Sequence, residues 1–301
     1  WCGNITKKIS DIACLFWAIC AVYEYRCMKI ALVHDYLSQD GGAEYVLDVL
    51  RGMWPEAPVF VLFKNKEKFS RYDSVDVRES FLRYMPSVKK HYQWYLPLMP
   101  LATERHDLRD FDVVLSNTSA FAKGIITQPN TLHLSYCHTP TRYLWTDTHE
   151  YVSDLPYPSL VKMFLPPLLH RLRLWDMMSA ERVDKFIANS RTVEQRILKY
   201  YRRESVVVHP PVSIGAFRPK SDIGDYFFTG GRLVPYKRFD IAIHAANRLR
   251  VPLYIFGEGP SLSRLRSYAG PTIKFLGRIS DEEKAEYMSR ARAFIHPQME
   301  D

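Results

Sequence analysis

Cysteine is scarce where a disulfide framework would need it. Four of the five, Cys2, Cys14, Cys20 and Cys27, lie in the first 27 residues, and only Cys137 lies beyond them. That distribution excludes a disulfide-stapled body and fits a reducing compartment, the cytoplasm. No pair in the leader has the C-x-x-C spacing of a zinc or redox site. A membrane-spanning run is also missing from the leader. The apolar stretch from Ile12 to Val22, preceded by Lys7 and Lys8, has eleven residues, against the roughly 20 needed to cross a bilayer. No small-x-small cleavage site follows it, as one would in a signal peptide. The full G-x-G-x-x-G fingerprint is absent, which counts against a dinucleotide cofactor and an oxidoreductase. There is no repeat of fixed period, no low-complexity tract and no recognisable nucleic-acid motif.

What is present is the composition of a globular chain. Its 301 residues are 47% hydrophobic and 25% charged, enough for two domains with real cores. Lys and Arg total 41 against 33 Asp and Glu, a net charge of +8. That sign favours anionic partners such as phosphorylated ligands, nucleic acid or an acidic membrane face, and it equally suits an ordinary basic enzyme.

From Met28 onward, short apolar runs alternate with stretches of helical spacing. The runs at 29–34, 59–63, 112–116, 131–138, 185–189 and 205–211 read as short continuous strands, as in a parallel sheet covered on both faces. Helical patterns follow Gly41-Gly42 and Ser190, the latter as an N-cap. Residues 212–225 lose periodicity and gain Gly, Pro and Ser, which marks a linker. The alternation then restarts, with strands at 226–231, 252–257, 273–277 and 293–297 and helices between them. Ser280 and Glu283 form a capping box before the last helix. Repeated βα units on both sides of a linker predict an α/β fold of two Rossmann-like domains facing a cleft, over 28–211 and 226–301. "MKIALVHDYLSQDGG" reads as a natural amino terminus opening on a first strand, so residues 1–27 are expected to lie outside the native fold. "AFIHPQMED" stops at Asp301 directly after a strand, so the second domain reads as incomplete. Two stretches break the alternation, 82–109 and 155–175, where aromatics, Pro and basic residues mix. Either they pack as helix and loop over the first domain, or they form an interfacial surface facing anionic lipid.

In doubly wound sheets ligands sit outside the carboxyl ends of strands. Gly41 and Gly42 follow the first strand and open a helix, where they serve either as an ordinary turn or as an approach for phosphate. His138 ends "TLHLSYCH" before Pro140, as a structural residue or as a catalytic one. In "FFTGGRLVPYKRFD", Arg232 and Lys237 follow Gly230 and Gly231 on a loop directly after a strand. A planar fork and a movable point charge there suit a diphosphate. Gly257, Glu258 and Gly259 ("FGEGP") form a similar loop fit to approach a base or ribose. Glu300 stands beyond the last strand, where a carboxylate suits ribose or sugar hydroxyls.

"GRLVPYKRFD", "IFGEGP", "IKFLGRIS" and "AFIHPQMED", in this order, resemble the carboxyl-terminal domain of the retaining glycosyltransferases of family four, with the GT-B fold. "GGAE" and "CHTPTRYLW" are similar to segments of bacterial mannosyltransferases in that group, and the resemblance spans Met28 to Asp301. It implies an acceptor domain over 28–211 and a nucleotide-sugar donor domain over 226–301. Arg232 and Lys237 match the cations that hold the donor diphosphate, and Glu300 matches the first carboxylate of the family's Glu-x7-Glu motif, which touches the donor sugar. Gly41 and Gly42 match the loop near the donor phosphates and acceptor, and His138 matches a residue lining the cleft beside the transferred sugar. The implied reaction moves a hexosyl group, with anomeric retention, from a nucleoside-diphosphate sugar (GDP-mannose on the "HTPTRYLW" similarity) to a hydroxyl of a glycan or lipid-linked saccharide. No cofactor and no metal is implied, and no Asp-x-Asp stands at the carboxyl end of a strand. The second Glu of the motif falls beyond Asp301, so weak or absent turnover is the expectation for this chain. The location implied is the cytoplasm, with peripheral contact at the inner face of an anionic membrane and no nucleic acid as partner. The rival readings are a nucleotide-sugar epimerase on the same fold and a non-catalytic module binding anions or membrane.

Overall fold

A computed structural model of the chain describes residues 28–38, 40–146, 148, 162–212 and 220–298. The leader 1–27, the segment 155–161, the linker positions 213–219 and Glu300 lie outside the described residues. The chain divides between Pro211 and Val212 into two compact units.

The first unit is built on seven strands: β1 (Ile30–His34), β2 (Val59–Val61), β3 (Val77–Glu79), β4 (Val113–Thr118), β5 (Leu132–Cys137), β6 (Lys185–Ala188) and β7 (Ser205–Val207). Their order is β3-β2-β1-β4-β5-β6-β7, every neighbouring pair parallel. Alternate residues of a strand serve opposite faces. Leu32, Val59, Val61 and Leu115 pack with Val46, Leu47 and Leu50 of helix α1 (Gly42–Met53), while Ala31, Val33, Phe60 and Val114 pack with Leu108 and Ile125. Burial on both faces is why apolar residues occupy both sides of these strands.

Helix α3 (Arg191–Tyr201) begins at Ser190, whose hydroxyl accepts from the Val193 N–H at 3.3 Å. Two elements have no bounds in the sequence reading. The edge strand β3 is three residues long and only partly buried, too short for a period to show. The stretch 155–175 contains the first two thirds of a sixteen-residue helix, α2 (Leu165–Ala180). Pro166 and Pro167 fall in its first turn, where a missing N–H costs nothing. Its apolar residues are not on one side: Leu169 and Leu172 are buried while Leu174 is exposed. From Phe81 to Glu104 the chain makes four short helical turns. Leu82, Val88, Leu96 and Met99 point inward and are buried, whereas Tyr84, Trp94 and Leu101 are exposed.

The second unit has strands β8 (Phe227–Gly230), β9 (Leu253–Phe256), β10 (Ile273–Gly277) and β11 (Ala293–Phe294), parallel in the order β10-β9-β8-β11. Helices α4 (Phe239–Leu249), α5 (Leu262–Tyr268) and α6 (Asp281–Arg290) connect them. Leu233, Phe239, Ile243, Leu253, Ile255 and Leu265 form its core. Ser280 and Glu283 make the capping box of α6, with reciprocal bonds of 3.1 and 2.8 Å. In each sheet the chain winds outward one way from its first strand and then the other. That leaves switch points at β1/β4 and β8/β11, where such sheets take ligands.

Candidate active site

At the β1/β4 switch point of the first unit, polar side chains from three adjacent strand ends meet. His34 closes β1, Asn117 lies near the end of β4, and His138 follows β5 directly. The Asn117 amide donates to the Ala43 carbonyl at 2.8 Å and its Oδ1 lies 2.6 Å from His138 Nε2. His34 Nδ1 donates to the Asn117 carbonyl at 3.0 Å, and its Nε2 stands 3.4 Å from Glu44 Oε1. Ala43 and Glu44 belong to the first turn of α1, so the Gly41-Gly42 turn is tied to both strands.

The two histidines are driven opposite ways. Burial disfavours the charged form of His34, but the Glu44 carboxylate, Asp35 and the Asn117 carbonyl outweigh it and raise its pKa. His138 is half-buried; burial, and after it the charge His34 carries when protonated, pushes its pKa down to about 3. His138 is therefore neutral across the physiological range.

Two buried carboxylates hold the surrounding loops. Asp35 accepts from the backbone N–H groups of Ser119, Ala120, Phe121 and Ala122 at 2.6–2.9 Å, fixing the turn after β4. Asp176 of α2 takes Lys123 Nζ at 2.5 Å, Thr141 at 2.7 Å, and Trp145 and Tyr201 at 2.8 Å. Within "CHTPTRYLW", then, His138 belongs to the strand-end cluster while Thr141 and Trp145 anchor the segment to the scaffold.

In the second unit the loops after β8 and β9 interlock through glycine. Gly231 N–H donates to the Phe256 carbonyl at 3.1 Å, Leu233 N–H to the Glu258 carbonyl at 2.9 Å, and Ser261 N–H to the Leu233 carbonyl at 3.1 Å. Gly230, Gly231 and Gly257 have φ of +158°, +127° and +106°. A Cβ at Gly257 would lie 1.8 Å from the Gly231 oxygen, and one at Gly259 would lie 2.3 Å from the Leu233 oxygen. Only glycine lets the two backbones approach so closely. The interlock sets Arg232, exposed, and Lys237, half-buried, on the loop at the carboxyl end of β8. Lys237 Nζ would stand 3.2 Å from a Cβ at Gly231. The third cation of this loop, Arg238, is engaged at the start of α4, with Nη2 3.0 Å from Asp240 Oδ2. Past β11, Ile295 is stitched to β8 by its N–H to Phe228 at 2.8 Å and by the Thr229 hydroxyl to its carbonyl at 2.6 Å. Glu300 lies outside the described residues. Among the described residues no group of three or more His, Cys, Asp and Glu is placed to hold a metal ion.

Residues 40–215 match the sequence model of Glycosyltransferase Family 4, and residues 224–301 match that of Glycosyl transferases group 1. The chain belongs to glycosyltransferase family 4. Its fold is similar to that of Anabaena Alr3699/HepE in complex with UDP-glucose (TM-score 0.60, 18% identity, 90% of this chain and 74% of that one). It is also similar to a glycosyltransferase from Rickettsia africae (TM-score 0.52, 14% identity, 91% of this chain and 74% of that one). At these identities the likeness establishes the fold alone, an α/β fold of the GT-B glycosyltransferases with parallel sheets. No curated protein matches the sequence.

In this glycosyltransferase the residues singled out from sequence fall into two sets. Gly41, Gly42 and His138 gather at the first switch point; Gly230, Gly231, Arg232, Lys237, Gly257, Glu258 and Gly259 gather on the interlocked loops of the second unit. His34, Glu44 and Asn117 were missed as members of the first set. The signal that singled out His138, a polar residue at a strand's carboxyl end, applies equally to His34 and Asn117.

Proposed function

We propose that this glycosyltransferase is a retaining hexosyltransferase, moving a sugar from a nucleoside diphosphate to a hydroxyl of a glycan or lipid-linked saccharide. The observation that carries the reading is the interlock of the β8 and β9 loops, which holds Arg232 and Lys237 at the carboxyl end of the strand beside the switch point. Negative charge grows on the diphosphate as it leaves. Cations already held in place stabilise that charge without reorganising, so their effect counts toward rate. In the retaining route the bond from the anomeric carbon to the phosphate oxygen breaks, the acceptor oxygen bonds on the same face, and a phosphate oxygen takes the hydroxyl proton. The reading assigns the counter-charge to these two side chains rather than to a metal. It gives Gly41 and Gly42 to the donor phosphates, Gly257, Glu258 and Gly259 to the ribose or base, His138 to the flank of the transferred sugar, and Glu300 to its hydroxyls.

GDP-mannose is the donor that "HTPTRYLW" suggests, and UDP-sugars are the alternative, since the Anabaena neighbour was solved with UDP-glucose. Thermal shift against GDP-, UDP- and ADP-sugars separates them. Arg232→Ala and Lys237→Ala are each expected to lower transfer by about a hundredfold or more with melting unchanged. Unaltered donor affinity and rate in both variants would sink the assignment. Product formed from donor with no acceptor present would replace transfer by epimerisation.

Among the described residues no helix is long and apolar enough to cross a membrane. We place the protein in the cytoplasm, in peripheral contact with an anionic membrane face. Tyr84 and Trp94, 73% and 61% exposed, support this contact, as does the absence of any Asp or Glu between Ser80 and Thr103.

A further inference from the structure

The Ala43 carbonyl sets the turn of the Asn117 amide, whose nitrogen also lies 3.2 Å from His34 Nδ1. The Ala43 carbonyl, 2.8 Å away, can only accept, so the amide atom facing it is the NH2 group. The other amide atom, Oδ1, can only accept, and it stands 2.6 Å from His138 Nε2. That short contact needs a hydrogen on Nε2. In a neutral imidazole the remaining nitrogen, Nδ1, then carries a lone pair. Among the described residues Nδ1 of His138 has no hydrogen-bond partner, and the ring stands at the carboxyl end of β5, beside the switch point.

We propose that Asn117 is a positioning residue that locks His138 as the Nε2–H tautomer, so that Nδ1 accepts a hydrogen bond from a hydroxyl of the donor sugar or acceptor. The second half rests on the reading of His138 as a residue beside the transferred sugar; the lock does not. The groups packed around His138 agree with it. Tyr136 presents its ring edge from β5 at 5.2 Å. His34, on β1, has its protonated form favoured by Glu44 against the cost of burial, and its Nδ1–H donates to the Asn117 carbonyl at 3.0 Å. Asp35 is engaged by backbone N–H groups, and Arg196 of α3 reaches Thr139 at 3.4 Å. None of these sets an anion against Nε2 that would draw a second proton onto the ring.

The test begins without ligand. Nitrogen NMR of the whole chain, with labelled histidine and His138 assigned by loss of its signals in His138→Gln, is expected to show the Nε2–H tautomer, with no imidazolium down to pH 5. Asn117→Ala is expected to give a mixture of tautomers. Asn117→Asp places a carboxylate against Nε2, so imidazolium should appear between pH 5 and 8, and donor binding should weaken as pH falls through that transition but not in wild type. An Nδ1–H tautomer in wild type, or an unchanged spectrum in Asn117→Ala, overturns the lock. With UDP-glucose and GDP-mannose as probes in calorimetric titration, His138→Gln keeps a donor toward Asn117 but loses the acceptor, and about tenfold weaker binding is expected. A locked tautomer with no weakening for either probe overturns the hydroxyl contact, while the diphosphate assignment to Arg232 and Lys237 stands or falls on its own variants.

Discussion

A methyl group at position 257 has nowhere to go. With φ at +106° and the Gly231 oxygen 1.8 Å from where a Cβ would sit, Gly257→Ala must push the β8 and β9 loops apart. Overpacking of this kind costs roughly 1–3 kcal/mol, and here it also displaces the loop bearing Arg232. Urea denaturation should therefore show a less stable protein, and donor affinity should fall with it. Gly42 is the contrasting case. It begins α1, and nothing lies within 4 Å of its Cβ position. Gly42→Ala should melt no earlier than wild type, because alanine is favoured over glycine in a helix by roughly 0.5–1 kcal/mol. If the donor phosphates use that open space, transfer falls all the same, and an unchanged transfer rate would remove Gly42 from the site. At this scale the sequence showed which residues stand at strand ends and hid what they touch. His34 and Asn117 are 83 positions apart, and their hydrogen bonds exist only because β1 and β4 pair.

At the scale of elements, one buried carboxylate of α2 gathers several polar partners from the first unit, beside the packing of Leu169 and Leu172. Asp176 and Lys123 are each 1% exposed, and Thr141, Trp145 and Tyr201 give Asp176 its other hydrogen bonds. Removing one partner of such a pair leaves an uncompensated charge, at a cost of about 3–5 kcal/mol. Asp176→Ala should lose about that much in urea denaturation. Replacing both partners, as Lys123→Met with Asp176→Leu, should recover a large part of it, because apolar packing often equals a buried ion pair. A double variant no more stable than Asp176→Ala would show that the hydroxyl and indole donors, not the charge, dominate. The helix itself was not legible as one element. Its apolar residues encircle it and two prolines open it, so neither periodicity nor composition marked it. The strands buried on both faces were legible, since continuous apolar runs flanked by turns have few other uses. So were α3 and α6, which carry their own start signals at Ser190 and Ser280. Strand β11, expected over 293–297, spans Ala293 and Phe294, with the Ile295 N–H still bonded to Phe228 of β8; Pro297 cannot donate to a ladder.

For the molecule as a whole the net charge of +8 is a weak guide, because it does not say where the charge acts. Its local distribution says more. Between Ser80 and Thr103 stand Arg83, Lys89, Lys90 and His91 with no acidic residue. All four are exposed, beside Tyr84, Trp94, Leu98 and Leu101, also exposed, and Trp94 stacks on His91 at 4.6 Å. The same segment packs Leu82, Val88, Leu96 and Met99 into the core, so of the two alternatives read from the sequence the packing is present, and the contact with lipid is the part of the proposal left to test on the exposed side. Aromatic rings with a polar edge settle at the headgroup level, and cations near an anionic surface add attraction. The protein should therefore sediment with vesicles of phosphatidylcholine and phosphatidylglycerol and not with phosphatidylcholine alone. Reversing two charges, Lys89→Glu with Lys90→Glu, should weaken that binding by roughly thirtyfold or more, counting only the two attractions lost. Raising salt from 0.1 to 1 M shortens the screening length from about 10 to about 3 Å and should have a similar effect. Trp94→Ala should weaken binding at either salt concentration, because its share is burial rather than charge. Equal sedimentation with neutral and anionic vesicles, or none with either, would leave the exposed rings and cations of this segment without a membrane to meet.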